Sequence, residues 1–299
     1  MCITFFQTDP DRLLFLFNRE ESADRETKAL HYWEDDPNIL AGRDLKKGGT
    51  WFGVNIQTGN IAFLTNLVID TIESNQLKKL SRGEVIQSFI QTNFYQQKTI
   101  QKLEEKEYTK RIESFIDSIL DNSERYNPFN LIIGNLRTKR FYSVDIVSKT
   151  SIELKKHSLF GIANNWFNHV ERNRVQFGIK KLLQNKYKDE ESYIKFMQCT
   201  NKYEGDIPEN QYSIFLPIRH DQKEEEKGSC ISTTCLIQQG DKFKYIELSY
   251  LHHRKKIREF MLRRKYKFKL AAYLNYLLLL TREKVDNYKV LRKEYEFKL

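Results

Sequence analysis

The sequence predicts an α+β fold on three observations: apolar runs paired across short turns, helical spacing confined to segments between those pairs, and no regular strand–helix alternation. The last observation excludes a doubly wound parallel sheet. No internal repeat occurs, and the charged stretch Lys223 to Gly228 reads as a solvated loop, not as a linker between folding units. One domain over residues 1–299 is therefore expected.

Residues 3–8 and 12–18 are rich in Ile, Phe, Leu and Thr and meet at Asp9-Pro10-Asp11, a strand–turn–strand pattern. Glu20 to Gly49 is polar and reads as irregular, with Trp33 and the turn-like Asp36-Pro37-Asn38 inside it. Trp51 to Ile56 and Asn60 to Asn66 form a second hairpin across Gln57-Thr58-Gly59. Ser81-Arg82-Gly83-Glu84 then has capping-box spacing, ahead of the apolar face Val85, Ile86, Phe89 and Ile90.

A second helix is marked by Ile112, Phe115, Ile116, Ile119 and Leu120, and Phe129 to Gly134 with Arg140 to Asp145 give a third hairpin. Helical spacing returns from Trp166 to Leu183. Tyr212 to Pro217, Ile231 to Ile237 and Phe243 to Leu248 read as late strands, the last two joined by Gln239-Gly240-Asp241. Residues 252–284 read as a basic helix grading into an apolar one, and Tyr295-Glu296-Phe297 as a closing strand.

The net charge of +10 is concentrated. Between Arg254 and Lys269 nine Lys or Arg residues stand against Glu259 alone, so the rest of the chain is nearly neutral. Interleaved with Ile257, Phe260 and Phe268, these charges suit an anionic membrane surface as well as they suit a solvated helix. No nucleic-acid-binding motif accompanies them, which disfavours that partner. Cys2, Cys199, Cys230 and Cys235 are too few for a disulfide framework and lack zinc spacing, so a reducing compartment and no metal are expected. The start of the chain is too charged for a signal peptide, and Leu270 to Leu280 is too short to span a bilayer. A soluble, cytoplasmic protein is expected.

Cys2 is the sharpest chemical feature. A small residue after Met1 allows removal of the methionine, which would leave a free α-amine of pKa about 8 beside a thiol. Nucleophile and base would then share one residue. The competing reading is a small buried residue that starts a strand. If the first two strands pair, Arg19 returns close to Cys2, where a guanidinium lowers a thiol pKa, and Glu20 is placed to hold the α-amine or Arg19. An ordinary surface ion pair is the alternative for these two. Asn66 and Asn164 end apolar runs, where an amide serves as an oxyanion donor or as a turn residue. No His is spaced to pair with Cys2.

These pieces resemble the NRDE family, typified by transport and Golgi organization protein 2. The resemblance rests on Met1-Cys2-Ile3, Asn18-Arg19-Glu20-Glu21, Leu40-Ala41-Gly42-Arg43-Asp44, Gly48-Gly49-Thr50-Trp51-Phe52-Gly53, Ala62-Phe63-Leu64-Thr65-Asn66, Ser81-Arg82-Gly83-Glu84, Tyr126 to Leu131 and Phe160 to Asn164. It implies an N-terminal-nucleophile-hydrolase-like αββα sandwich, two antiparallel sheets between helices. It also implies that Cys2, Arg19, Glu20, Asn66 and Asn164 form the pocket used by cysteine amide hydrolases of that fold.

Three functions follow. The first is intracellular handling of haem or an acyl-CoA or other lipid, linked to Golgi and secretory organisation and to mitochondria, with no cofactor required. The second is an N-terminal cysteine hydrolase acting on a non-peptide amide or a thioester. The third is membrane-surface binding through Arg254 to Lys269. The family motif has Asp where Glu20 stands, and an Arg that the family has near Gly228 to Ser232 is missing here. The segment near 252–284 looks like an insertion.

Overall fold

The computed structural model describes residues 2–9, 11–22, 25–67, 79–92, 105–164, 173–184, 186–199, 214–215, 229–251 and 289–299. The chain begins with β1 (Cys2–Asp9), β2 (Arg12–Glu21), β3 (Thr27–Tyr32), β4 (Ile39–Asp44), β5 (Phe52–Asn55) and β6 (Asn60–Asn66). Helices α1 (Arg82–Gln91) and α2 (Glu105–Asp121) follow. Then come β7 (Phe129–Asn135), β8 (Arg140–Asp145), β9 (Thr150–Glu153), β10 (Leu159–Ile162), α3 (Asn173–Leu182) and α4 (Glu190–Met197). The last strands are β11 (Ser229–Gln239), β12 (Lys242–Leu251) and β13 (Lys289–Lys298).

Two antiparallel sheets result, one in the order β10-β1-β2-β11-β12-β13 and the other β3-β4-β5-β6-β7-β8-β9. Strand alternation sorts their side chains into three buried layers. Phe6, Phe15, Phe17, Phe52, Phe63 and Phe141 fill the space between the sheets. Val85, Ile86, Phe89, Ile112 and Ile116 of α1 and α2 cover the outer face of the seven-stranded sheet. Val175 of α3 and Tyr193, Ile194, Phe196 and Met197 of α4 cover the outer face of the six-stranded sheet over Ile3, Phe5, Leu14 and Leu16. The architecture is α+β, helix–sheet–sheet–helix.

Inward polar residues are placed with purpose. Asn55 Nδ2 donates to the Ile90 carbonyl at 2.9 Å and Asn60 Nδ2 to the Thr92 carbonyl at 3.0 Å, satisfying the carboxyl end of α1. Between the sheets, Thr65 Oγ1 donates to the Ala163 carbonyl at 2.8 Å, and Asn130 Nδ2 donates to Thr65 Oγ1 at 3.2 Å. These bonds pin the seven-stranded sheet to the end of β10, beside Cys2.

The structure corrects several expectations. The segment from Glu20 to Gly49 is not irregular: it contains the end of β2, then β3 and β4. Its polar composition reflects β3, a sheet edge whose residues are mostly exposed or half-buried. α1 starts at Arg82 as expected, but the Ser81 side chain makes no capping bond. The Glu84 amide instead bonds the Ser81 main-chain carbonyl at 3.2 Å. The capping box lies at α4, where the Asp189 side chain accepts from the Ser192 amide at 2.8 Å. Ile214 and Phe215 lie in a bend, so the strand expected over Tyr212 to Pro217 is absent at those two positions, and its other residues lie outside the described ones. The expected helix and insertion at 252–284, with Arg254 to Lys269, also lie outside the described residues, as does Trp166 to Arg172 of the helical run that ends in α3.

Candidate functional site

Alternation along β2 determines what Asn18, Arg19 and Glu20 can do. Phe15, Phe17 and Arg19 face the seven-stranded sheet, while Leu16, Asn18 and Glu20 face α3 and α4. The register of β1 against β2 sets Cys2 opposite Arg19. Cys2 and Arg19 therefore meet between the sheets, whereas Glu20 lies on the other face.

Cys2 is 6% exposed. Its main-chain N–H donates to Asn164 Oδ1 at 3.1 Å, and Asn164 Nδ2 donates to the Asn66 carbonyl at 2.6 Å. An amide oxygen only accepts and an amide nitrogen only donates, so these two bonds determine the orientation of the Asn164 side chain. Both ends of that amide are engaged, and the contribution of Asn66 to this relay is its main-chain carbonyl. Burial pushes the Cys2 thiol up. The charge of the chain's amino terminus, a hydrogen bond from the Glu20 main chain and the Arg19 guanidinium oppose that shift, while the Glu20 carboxylate adds to it.

Arg19 is held by a scaffold drawn from the Gly- and Trp-containing motifs. Its Nη1 donates to Thr27 Oγ1 at 2.7 Å and its Nη2 to Asp44 Oδ2 at 3.0 Å. Asp44 Oδ2 also accepts from Arg25 Nε at 2.8 Å, while Asp44 Oδ1 accepts from the amides of Lys46 and Lys47 at 3.0 Å each. The guanidinium carbon of Arg19 lies 3.7 Å from the centre of a Trp51 ring, a cation–π stack. Gly42 is required beneath that ring, because a Cβ there would overlap it. Gly49 is required next to α1, because its Cβ would strike the Gly83 backbone.

The Glu20 side chain points to the face opposite Arg19. It forms a buried ion pair with Arg174 of α3, with Arg174 Nη1 at 3.2 Å from Oε2 and Nη2 bonded to Oε1. Arg174 Nη2 and Asn18 Nδ2 both donate to the Ile214 carbonyl at 3.1 Å. This part of the motif fastens the helix layer to the sheet. Arg174, Asp44, Trp51, Thr65 and Asn130 were not singled out from sequence for a role at the site. A polar residue at an inward strand position, such as Asn130 between Phe129 and Leu131, is the signal that could have found one of them.

Glu247 of β12 is a further buried carboxyl between the sheets. Its Oε1 accepts from the Leu30 amide at 2.9 Å and from Ser249 Oγ at 3.1 Å, and its Oε2 has no partner among the described residues. Burial raises its pKa, the two hydrogen bonds and Arg19 opposing. A carboxyl raised by folding stabilises the fold below the unfolded pKa, and that contribution is lost as pH rises through the folded value. Glu247→Gln keeps the acceptor and cannot ionise. The variant should be more stable than the parent at about pH 8 and match it at about pH 4. Urea unfolding at both pH values measures this, and a parent as stable as the variant at the higher pH would sink the idea.

The family model described as transport and Golgi organisation 2 matches residues 1–252. The chain belongs to this family. Among curated relatives, the transport and Golgi organization protein 2 homolog of Homo sapiens is 30% identical over 150 residues, 47% of each chain. The Bos taurus homolog is 29% identical over the same shares. The chain thus spans about half the length of the curated relatives it matches. Among solved structures, a Caenorhabditis elegans N-acylethanolamine-hydrolyzing acid amidase ortholog is similar at a TM-score of 0.40 and 11% identity, over 79% of this chain and 92% of that one. The strongest family motifs of the sequence supply the Arg19 scaffold, through Asp44, Gly42, Gly49 and Trp51. No helix among the described residues is long and apolar enough to cross a membrane.

Proposed function

We propose that this family member handles acyl groups, receiving the acyl moiety of a thioester such as an acyl-CoA, or of a non-peptide amide, at Cys2. The observation that carries the reading is the bond from the Cys2 nitrogen to an Asn164 amide locked in place by Asn66. Removal of Met1 would turn that nitrogen into an amine. One of its hydrogens would stay on Asn164 Oδ1, leaving the lone pair to take the thiol proton. The sulfur then bonds to the carbonyl carbon, the bond to the leaving thiol or amine breaks, and the ammonium proton goes to that leaving group. Water or an acceptor takes the acyl group from Cys2 and restores the thiol. Acyl exchange of this kind suits work at Golgi or mitochondrial membranes.

Haem is the other ligand that the family resemblance implies, and the surroundings of Cys2 favour it less. Amide, carboxylate and guanidinium groups flank the thiol, while His31 Nδ1 is bonded to the Ala29 carbonyl at 2.7 Å and His157 Nδ1 lies 3.5 Å from Asp9.

Intact-mass measurement of the native protein before and after an acyl thioester tests the proposal. The expected result is a chain lacking Met1 that gains one acyl mass, with the gain abolished in Cys2→Ala. Retained Met1, or no acyl adduct on folded protein, overturns it.

A further inference from the structure

Cys199 stands apart from the other three cysteines. Cys2, Cys230 and Cys235 are buried, whereas Cys199 is half-buried. Burial pushes the Cys230 and Cys235 thiols up, away from the thiolate that reacts with oxidants. Cys199 follows α4 on the outer side of the six-stranded sheet and packs against the helix layer there.

The docking of α3 brings a lysine to it. Gly178 of α3 lies over the Phe5 ring, where a Cβ would overlap the ring, so the helix sits close on β1. Lys181 is one turn beyond Phe177 on the same helix, and its amine lies 4.8 Å from the centre of the Phe177 ring. From there Lys181 Nζ donates to Cys199 Sγ at 3.2 Å. The backbone of Cys199 is fixed by three hydrogen bonds. Its amide donates to the Phe196 carbonyl at 3.0 Å, and its carbonyl accepts from the amides of Ile214 and Phe215 at 3.1 Å each. An amine on one helix and a sulfur on a fixed backbone are thus held in direct contact.

We infer that Lys181 and Cys199 form an oxidation site, at which a peroxide converts this contact into a covalent nitrogen–sulfur link between α3 and the end of α4. The thiol sulfur attacks one oxygen of the peroxide, the O–O bond breaks, and Cys199 becomes a sulfenic acid with release of water. The lone pair of the deprotonated Lys181 amine then attacks the sulfur. The S–O bond breaks, and the hydroxide leaves as water with a proton from the amine. In sum one thiol, one amine and one hydrogen peroxide give one sulfenamide and two waters, the sulfur losing two electrons and the peroxide gaining them. The lysine thereby diverts Cys199 from the irreversible sulfinic and sulfonic acids. Two equivalents of a thiol reductant reopen the link, giving back the amine and the Cys199 thiol and leaving the reductant as a disulfide.

The link fastens a junction that buried polar groups already share. The Ile214 carbonyl accepts from Asn18 and Arg174, and Asn18 Nδ2 also donates to the Met197 carbonyl at 2.8 Å. Oxidation at Cys199 therefore acts on the helix side of β2, the face opposite Cys2 and Arg19.

The test treats the full-length protein with hydrogen peroxide at about pH 8, blocks the remaining thiols and maps tryptic peptides by mass without reduction. The expected result is a peptide pair joined between Lys181 and Cys199, lighter than the sum of its parts by two hydrogens, with no tryptic cut after Lys181. Dithiothreitol should separate the pair. It should be absent in Cys199→Ser and in Lys181→Arg, which keeps the positive charge without the nucleophilic amine. In Lys181→Arg, Cys199 should proceed to the sulfinic or sulfonic acid instead. A parent in which Cys199 is oxidised to those acids without any link, or is not oxidised at all, overturns the inference. So does an equal yield of the link in urea-unfolded protein, because the folded contact would then contribute nothing.

Discussion

Glu20→Ala is expected to lower the unfolding free energy by about 3–5 kcal/mol, the usual cost of removing one partner from a buried ion pair. The Glu20 side chain is wholly buried and that of Arg174 is 5% exposed, so the variant strands a guanidinium away from water. Arg174 also donates to the Ile214 carbonyl, and misplacing it disturbs the attachment of residues 214–215 to the sheet. Removing both charges should be milder, since a buried pair replaced by apolar side chains of similar size is often neutral or better. Urea unfolding of the parent, Glu20→Ala and the double variant Glu20→Leu/Arg174→Met measures both effects. A single variant within about 1 kcal/mol of the parent would mean that the pair is solvated and does not hold α3.

Phe63→Ala should cost about as much, roughly 3–5 kcal/mol, by a different route. Phe63 is 1% exposed, and its ring centre lies 5.3 Å from those of Phe6 and Phe52, 5.9 Å from Phe15 and 6.4 Å from Phe17. It is the point where aromatic residues of both sheets converge. Alanine there removes most of a ring from a close-packed layer whose neighbours are held by strand pairing and cannot collapse inward. Phe63→Leu fills part of the space and should lose about half as much. Loss of thermal stability in Ala well beyond Leu is the expected ranking. Equal effects of the two would show that the layer repacks freely.

The two variants probe different faces of the six-stranded sheet. Phe63 belongs to the layer that holds the sheets together, and Glu20 to the layer that attaches the helices. Cys2 lies in the first of these layers, at the end of the chain's opening strand. Its N–H is tied to Asn164, which follows β10, and the nearby Ala163 carbonyl is tied to Thr65 and Asn130 of the other sheet. Loosening the aromatic layer should therefore be felt at Cys2 through backbone position.

What was legible in the sequence is what local periodicity encodes. Alternating apolar runs across Asp9-Pro10-Asp11, Gln57-Thr58-Gly59 and Gln239-Gly240-Asp241 marked the hairpins, because strand faces repeat every second residue and turns need particular residues. The helical face of Val85, Ile86, Phe89 and Ile90 marked α1 for the same kind of reason. The proximity of Cys2 and Arg19 was also local in origin, since it follows from one hairpin register. β3 escaped because an edge strand with one buried position has no alternation to read.

Only the tertiary structure decided which groups act together. Adjacency in the chain left Glu20 either beside Arg19 or in an ordinary surface ion pair, but consecutive strand residues point to opposite faces, so its ion pair is a buried one with Arg174 on the face away from Arg19. Asn164 meets Cys2 across 162 residues, and Glu247 meets Leu30 across 217. Hydrogen bonds at such separations depend on sheet order and layer packing, which no local pattern carries. The sequence by itself determined the strands of the main hairpins, the α+β class and the pairing of a thiol with an arginine. Pairing of β1 with β10 then brought Asn164 to Cys2, and the stacking of the two sheets brought Thr27 and Asp44 to Arg19, because buried polar groups must find hydrogen bonds.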